Sequence, residues 1–290
     1  MTERSPTAAV VNLLRRSAGV RASAYFASMV GVLLTASRLP YDPENPFTQA
    51  VQPKAFPGVV ALTDLFTRLR PEDRATWTRQ PTRDDLADLA QGIALGLAAS
   101  TATLGIGMAK GWMSAPAWGW KGGLAPGTVL AAAALTAAQQ GAGVFNEEVI
   151  FRGYGLDTLR LAVGLPAAVT ISTALFARAH GPGWKRFVGL GAAGLFLSLL
   201  RLKTDNLWLT AGFHWGWNVA QISLLGPEDG PPSLRPLHLH GPEGWVGKPG
   251  EADPGWLQIL ATLALVAVAG GALGYQQGRR AGEQADAADM

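Results

Sequence analysis

Residues Gly122–Gly153, GGLAPGTVLAAAALTAAQQGAGVFNEEVIFRG, decide how this chain is to be read. From Gly122 to Asn146 the stretch carries no charge, and about 20 mostly apolar residues are enough for a helix to cross a hydrocarbon core of about 30 Å. Ionisable groups then close it abruptly: Glu147, Glu148 and Arg152. Such a group costs roughly 2.5–3.5 kcal/mol at the centre of a membrane helix, so a cluster of them at the end of an apolar run needs a reason.

The rest of the chain repeats the pattern. Among 290 residues there are 24 Lys and Arg against 21 Asp and Glu, a charged fraction of 16%, where a soluble domain carries about 25%. With the 36 glycines added, the apolar share reaches about 60%, above the usual 45–50%. Zero cysteines exclude a disulfide framework, a Cys-ligated zinc site, an iron–sulfur cluster and a cysteine nucleophile. A net charge of +3 without a basic stripe speaks against nucleic acid as a partner.

Uncharged runs also cover Ala22–Ala36, Leu89–Ala109, Leu161–Ala177, Phe187–Leu200, Leu207–Leu225 and Trp256–Gln277. With the Gly122 run these make seven candidate spans. The expected fold is therefore all-α, a polytopic transmembrane bundle of about 7–8 helices in the cell membrane, with lipid as its surroundings. A secretory signal is the alternative for the first run, but its basic leader (Arg4, Arg15, Arg16, Arg21) is too long and no small-x-small cleavage site precedes Arg38. Basic residues flank the spans nearest both termini, so the positive-inside rule puts both termini in the cytoplasm. Phe56–Phe66 is too short to span and reads as interfacial or as part of an extramembrane helix; since an even number of crossings is required, either it conceals one more or one segment is re-entrant.

The expected organisation follows. Residues 1–121 hold N-terminal membrane helices with a polar segment, 38–88, between them; 122–225 form the core; 226–255 are a Pro/Gly-rich external loop; 256–290 are the last span and a polar tail. Asp84–Asp88 is read as the amphipathic start of the second span, and His238 and His240 as solvated loop histidines. Seven tryptophans, among them Trp112, Trp184, Trp245 and Trp256, sit near run ends, where indole rings favour the headgroup region.

Ionisable groups beside the apolar runs cluster three times: around Glu147, Glu148 and Arg152; at Phe176-Ala177-Arg178-Ala179-His180; and at His214-Trp215-Gly216-Trp217-Asn218. Glu148 and Arg152 are four apart and can pair on one helix face, which leaves Glu147 about 100° round the helix to face something else. His214 and Asn218 share a face in the same way, as do Phe176 and His180. Each cluster also has a plain structural reading: a helix-end ion pair, a helix-capping histidine, and interhelical polar contacts. Together, two histidines and an unpaired carboxylate from three helices suffice to bind a divalent metal or to hold and deprotonate water.

In order and separation, Glu147-Glu148-x-x-x-Arg152, Phe176-x-x-x-His180 and His214-x-x-x-Asn218 resemble the CPBP group of intramembrane proteases. This group includes the CAAX prenyl endopeptidases of the Ras-converting type and bacterial proteins of bacteriocin processing and self-immunity. The likeness runs from Thr128 to Leu225 and includes LRLKTDNLWLTAGFHWGWN before the last motif. It implies an intramembrane endopeptidase acting on a membrane-associated or lipidated peptide or protein. Glu147 would activate water, His180 and His214 would hold that water directly or through Zn2+ bound with Glu147, Asn218 would bind the water or the oxyanion, and Glu148 would orient Arg152. A non-catalytic immunity or scaffold protein on the same fold is the alternative; a transporter is disfavoured because no inverted repeat is visible. The chain departs from the group's pattern at Ala177-Arg178, where a cation precedes the histidine and is expected to charge or narrow the cavity mouth.

Overall fold

The computed structural model describes residues 6–40, 42, 51–70, 81–115, 117–120, 123–228, 230–247 and 254–271; the expected polar tail lies outside them. The described residues are mostly helical: α1 Pro6–Arg16, α2 Ala18–Ser37, α3 Val51–Leu69, α4 Arg83–Ala109, α5 Pro126–Glu148, α6 Tyr154–Val163, α7 Leu165–Ala179, α8 Trp184–Thr204, α9 Leu207–Val219, α10 Glu243–Val246 and α11 Trp256–Gly271. A two-residue ribbon pairs β1 Met113–Ser114 with β2 His238–Leu239, antiparallel.

Among the described residues four helices are long and apolar enough to cross a membrane: Ala18–Ser37, Arg83–Ala109, the continuous Pro126–Val163, and Trp184–Thr204; Leu165–Ala179 and Trp256–Gly271 are shorter apolar helices. Large apolar side chains such as Val30, Leu65, Leu95, Leu130 and Val268 point outward, Val268 with 71% of its surface exposed. An outer surface of this kind suits lipid rather than water. The protein is thus a helical membrane bundle, as the runs predicted.

Local chemistry sets the helix ends. Thr82 and Asp85 form a reciprocal capping box that starts α4, so the acidic stretch read as an amphipathic beginning serves as its cap. Asn206 caps α9 by accepting from the Leu209 amide at 3.0 Å and also donates to the Asp88 carboxylate, tying the start of α9 to the start of α4. Pro126 and Leu165-Pro166 open α5 and α7 where a missing N–H is harmless. Gly164 at φ 81° lets the chain turn sharply between α6 and α7, a backbone state that favours glycine.

The short apolar stretch Phe56–Phe66 lies within α3, a helix of 19 residues. Tyr25 of α2 hydrogen-bonds Thr63 of α3 at 3.0 Å while Val32 meets Gly58, so the two helices run antiparallel. Tyr25, Phe66 and Tyr154 stack beside them in a core that also takes Val149, Phe151 and Phe176.

The tightest seam joins α4 and α9. A Cβ at Gly92 or Gly96 would stand 2.2 or 2.0 Å from the carbonyl oxygens of Leu209 and Phe213, and one at Gly212 or Gly216 would stand 2.2 Å from those of Leu89 and Ile93. Two G-x-x-x-G pairs therefore bring the backbones into direct contact, the packing mode by which helices associate where lipid removes the hydrophobic driving force. His214 lies between the two glycines of α9.

Candidate active site

After Glu148 the helix continues as one π-helical turn, Val149–Gly153, before α6 begins. Such turns are rare and frequent at functional sites. Just before it the two glutamates part company. The Glu148 side chain is completely buried, whereas that of Glu147 is 20% exposed and lines a cavity.

Glu148 Oε1 accepts from Arg152 Nη1 at 3.0 Å and from His214 Nδ1 at 2.8 Å. Arg152, equally buried, places its guanidinium 4.0 Å from the centre of the Phe176 ring and donates Nη2 to the Gly194 carbonyl at 3.3 Å. The expected Glu148–Arg152 pair is present. Its geometry adds a duty that spacing did not suggest: Glu148 also orients His214.

His180 ends α7. Its Nδ1 donates to the Phe176 carbonyl at 2.8 Å, and its ring stands edge-on to Phe176 with centroids 4.7 Å apart. A carbonyl only accepts, so Nδ1 carries a proton, and in the neutral imidazole Nε2 offers a lone pair. That nitrogen is 3.9 Å from Glu147 Oε1, and His214 Nε2 is 3.8 Å from Glu147 Oε2. Both gaps exceed a direct hydrogen bond. A single water at about 2.8 Å from each atom can bridge either one.

One turn beyond His214, Asn218 Nδ2 donates to Gln140 Oε1 of α5 at 3.4 Å. Glu147, His180, His214 and Asn218 thus line one cavity of about 790 Å3, with Glu148 and Arg152 directly behind them. Other expectations fall differently. Arg178 is exposed and does not line the cavity; the cation there is Arg186 of α8, whose Nη1 donates to the His180 carbonyl at 3.4 Å. His238 pairs with Glu228 at 3.0 Å and His240 meets the Ser114 hydroxyl at 2.7 Å, so both are engaged by neighbours. The Pro/Gly segment folds back onto the bundle through the β1–β2 ribbon, and Pro227, Leu237, Leu239 and Trp245 wall the cavity. Gln140, Gln221 and Gln258 also line it, none of them singled out in the sequence.

For a metal, the donor types are suitable: a carboxylate and two imidazoles whose other nitrogens are held by a carbonyl and a carboxylate, the usual support for metal-bound histidine. The spacing is not. Two ligands of one tetrahedral zinc stand about 3.3 Å apart, half an ångström closer than the two gaps at Glu147, and among the described residues no three His, Asp or Glu side chains already share a metal-ligand geometry.

Fold and site together define a polytopic helical membrane protein with a carboxylate–imidazole centre facing an internal cavity. Residues 126–220 match the family model described as Type II CAAX prenyl endopeptidase Rce1-like, which agrees with the family read from the three motifs over about a third of the chain. No curated protein and no solved structure matches the chain.

Proposed function

We propose that the chain is an intramembrane endopeptidase in which Glu147 activates a water to hydrolyse a peptide bond of a membrane-associated substrate. The observation that carries this reading is the Glu147 carboxylate set between His180 Nε2 and His214 Nε2 at 3.9 and 3.8 Å, open to the cavity. The match of residues 126–220 to an endopeptidase family supports it.

Glu147 takes a proton from water, and the hydroxide oxygen adds to the peptide carbonyl carbon. His180 Nε2 accepts a hydrogen bond from the second water O–H and aims the oxygen. His214, held through Nδ1 by Glu148, directs its Nε2 at the water beside Glu147 Oε2, and the Asn218 amide donates to the tetrahedral oxyanion as its charge develops. Glu147 returns its proton to the departing nitrogen as the C–N bond breaks.

Direct water activation accounts for the geometry better than zinc does. Glu147 cannot serve at once as metal ligand and as base, and Glu148 is already committed to Arg152 and His214. No step above requires a metal.

The test is hydrolysis of membrane-presented peptides by purified protein, with Glu147→Gln beside wild type. Glu147→Gln should lower kcat at least about 10²-fold, the scale of a lost general base, while its thermal unfolding stays near wild type. Undiminished hydrolysis in Glu147→Gln would remove Glu147 as the base, and an undiminished cellular phenotype with no hydrolysis by wild type would favour the scaffold reading.

A further inference from the structure

The first helix takes no part in the cavity and is built unlike the helices behind it. α1 reads PTAAVVNLLRR, 11 residues in all. Its length of about 16 Å is too short to cross a hydrocarbon core of about 30 Å. A single residue, Ser17, separates it from α2, which is long and apolar enough to cross, so α1 sits where that crossing begins. Ser17 is extended, at φ −109° and ψ 110°, and breaks the helix at this point. Arg21 of α2 is fully buried and reaches back over the break, donating Nη1 to the carbonyls of Leu14 at 2.9 Å and Arg15 at 3.3 Å. The last turn of α1 is thereby fastened to α2 by hydrogen bonds, and α1 is a placed element of the bundle.

Its surface has two characters. Val11 and Leu14 are partly covered, where α1 packs on α2 and α3, whereas Val10 and Leu13 point away from the bundle, 57% and 53% exposed. Arg15 and Arg16 are exposed as well. At about 100° per residue they lie roughly 140° and 120° round the helix from Val10, one to each side. No acidic residue occurs between Pro6 and Ser37, and among the described residues neither arginine pairs with a carboxylate. Bare apolar side chains alone would fit many partners. Unpaired cations across the helix from them, at the start of a membrane crossing, select one: a leaflet whose tails receive the apolar side and whose phosphates receive the guanidiniums. We propose that α1 lies in the leaflet surface beside α2 and binds anionic phospholipid, with Val10 and Leu13 among the acyl chains and Arg15 and Arg16 on the headgroup phosphates. A zwitterionic headgroup cancels its own phosphate with an ammonium, so the arm selects lipid of net negative charge. The proposal stands apart from the endopeptidase reading, because no residue of α1 lines the cavity.

The chain has no cysteine, so Leu13→Cys and Asn12→Cys each place a single bimane fluorophore on the full-length protein, one on the apolar side of α1 and one on the polar side. Both are reconstituted in phosphatidylcholine nanodiscs containing a small fixed fraction of acyl-doxyl phosphatidylglycerol or, in a parallel set, acyl-doxyl phosphatidylcholine. The probe at Leu13 should be quenched by both lipids, and at low salt several-fold more strongly by phosphatidylglycerol. The probe at Asn12 should be quenched much less by either. A basic residue near an anionic surface is worth roughly 5-fold in affinity, so Arg15→Gln with Arg16→Gln should bring the two lipids close to parity, while Arg15→Lys with Arg16→Lys should keep the preference. Both side chains are exposed, and thermal unfolding near wild type confirms that the variants fold. Sodium chloride at roughly 0.5 M should erase the preference by screening, and sodium phosphate of equal ionic strength should do no more. Phosphate that acts far more strongly than chloride would reveal a pocket for the free anion and overturn the lipid surface. Equal quenching by the two lipids in wild type, a preference that survives in the double Gln variant, or a Leu13 probe quenched by neither lipid would each overturn the proposal.

Discussion

Replacing Gly216 with Ala tests whether the α4–α9 backbone contact sets the active site. The new Cβ would stand 2.2 Å from the Ile93 carbonyl oxygen, whereas real Cβ contacts essentially never fall below 3.0 Å. The helices must part by roughly 1 Å, because the opposing atom is backbone and has no rotamer to turn aside. Overpacking of this kind costs about 1–3 kcal/mol. At about 2–4 °C per kcal/mol for a chain of this size, the melting temperature in detergent should fall by roughly 2–12 °C. His214 sits two residues earlier on the same helix and travels with it, changing its 3.8 Å approach to Glu147. A displacement near 1 Å at a reacting centre can cost about 10²-fold in rate, so hydrolysis should drop more than stability alone explains. Gly105→Ala on α4, where a Cβ meets nothing within 4 Å, is the matched control. Thermal unfolding and peptide hydrolysis on the same preparations give the answer. Equal melting temperatures and rates for Gly216→Ala and Gly105→Ala would refute the reasoning.

Other expectations are simpler to state. Glu148→Ala strands Arg152 as an unpaired buried cation and should cost about 3–5 kcal/mol, seen as a lower thermal midpoint; Glu148→Ala with Arg152→Met should regain part of the loss, and a purely additive double variant would contradict the pairing. Elemental analysis of hydrolytically active wild type beside His214→Ala should find no stoichiometric zinc in either, and one zinc per chain that disappears in His214→Ala would replace direct water activation with a metal mechanism. Asn206→Ala removes the cap of α9 and its link to Asp88, and should cost about 1 kcal/mol in thermal unfolding; no change would show that the α4–α9 seam positions α9 without it.

The apolar runs and the three clusters were legible because a bilayer penalises every stray charge, so what remains stands out. The same rule applied only to ionisable groups passed over Gln139 and Gln140 in the alanine-rich α5, although a carboxamide in AAAALTAAQQGAG is nearly as conspicuous. The second role of Glu148 was hidden for a different reason. Spacing along one helix reveals Arg152, but His214 arrives from 66 residues away, by packing that no local period encodes. The Pro/Gly segment defeated the reading because it has no apolar repeat, and its order comes from the β1–β2 pairing and from prolines laid against the cavity. Arg178 and Arg186 show how close a reading can come: a cation does stand near His180, supplied by the next helix.

The glycine seam between α4 and α9 also bears on how a substrate can reach the cavity. Helices that touch through side chains can be parted by swinging those side chains aside, at the cost of a few rotamers. Where carbonyl oxygens rest directly on glycine Cα atoms there is nothing to swing, so the gap opens only if whole helices move. That wall is shut to a chain arriving from the lipid, and passage is left to walls made of movable groups such as Leu225, Leu237 and Trp245.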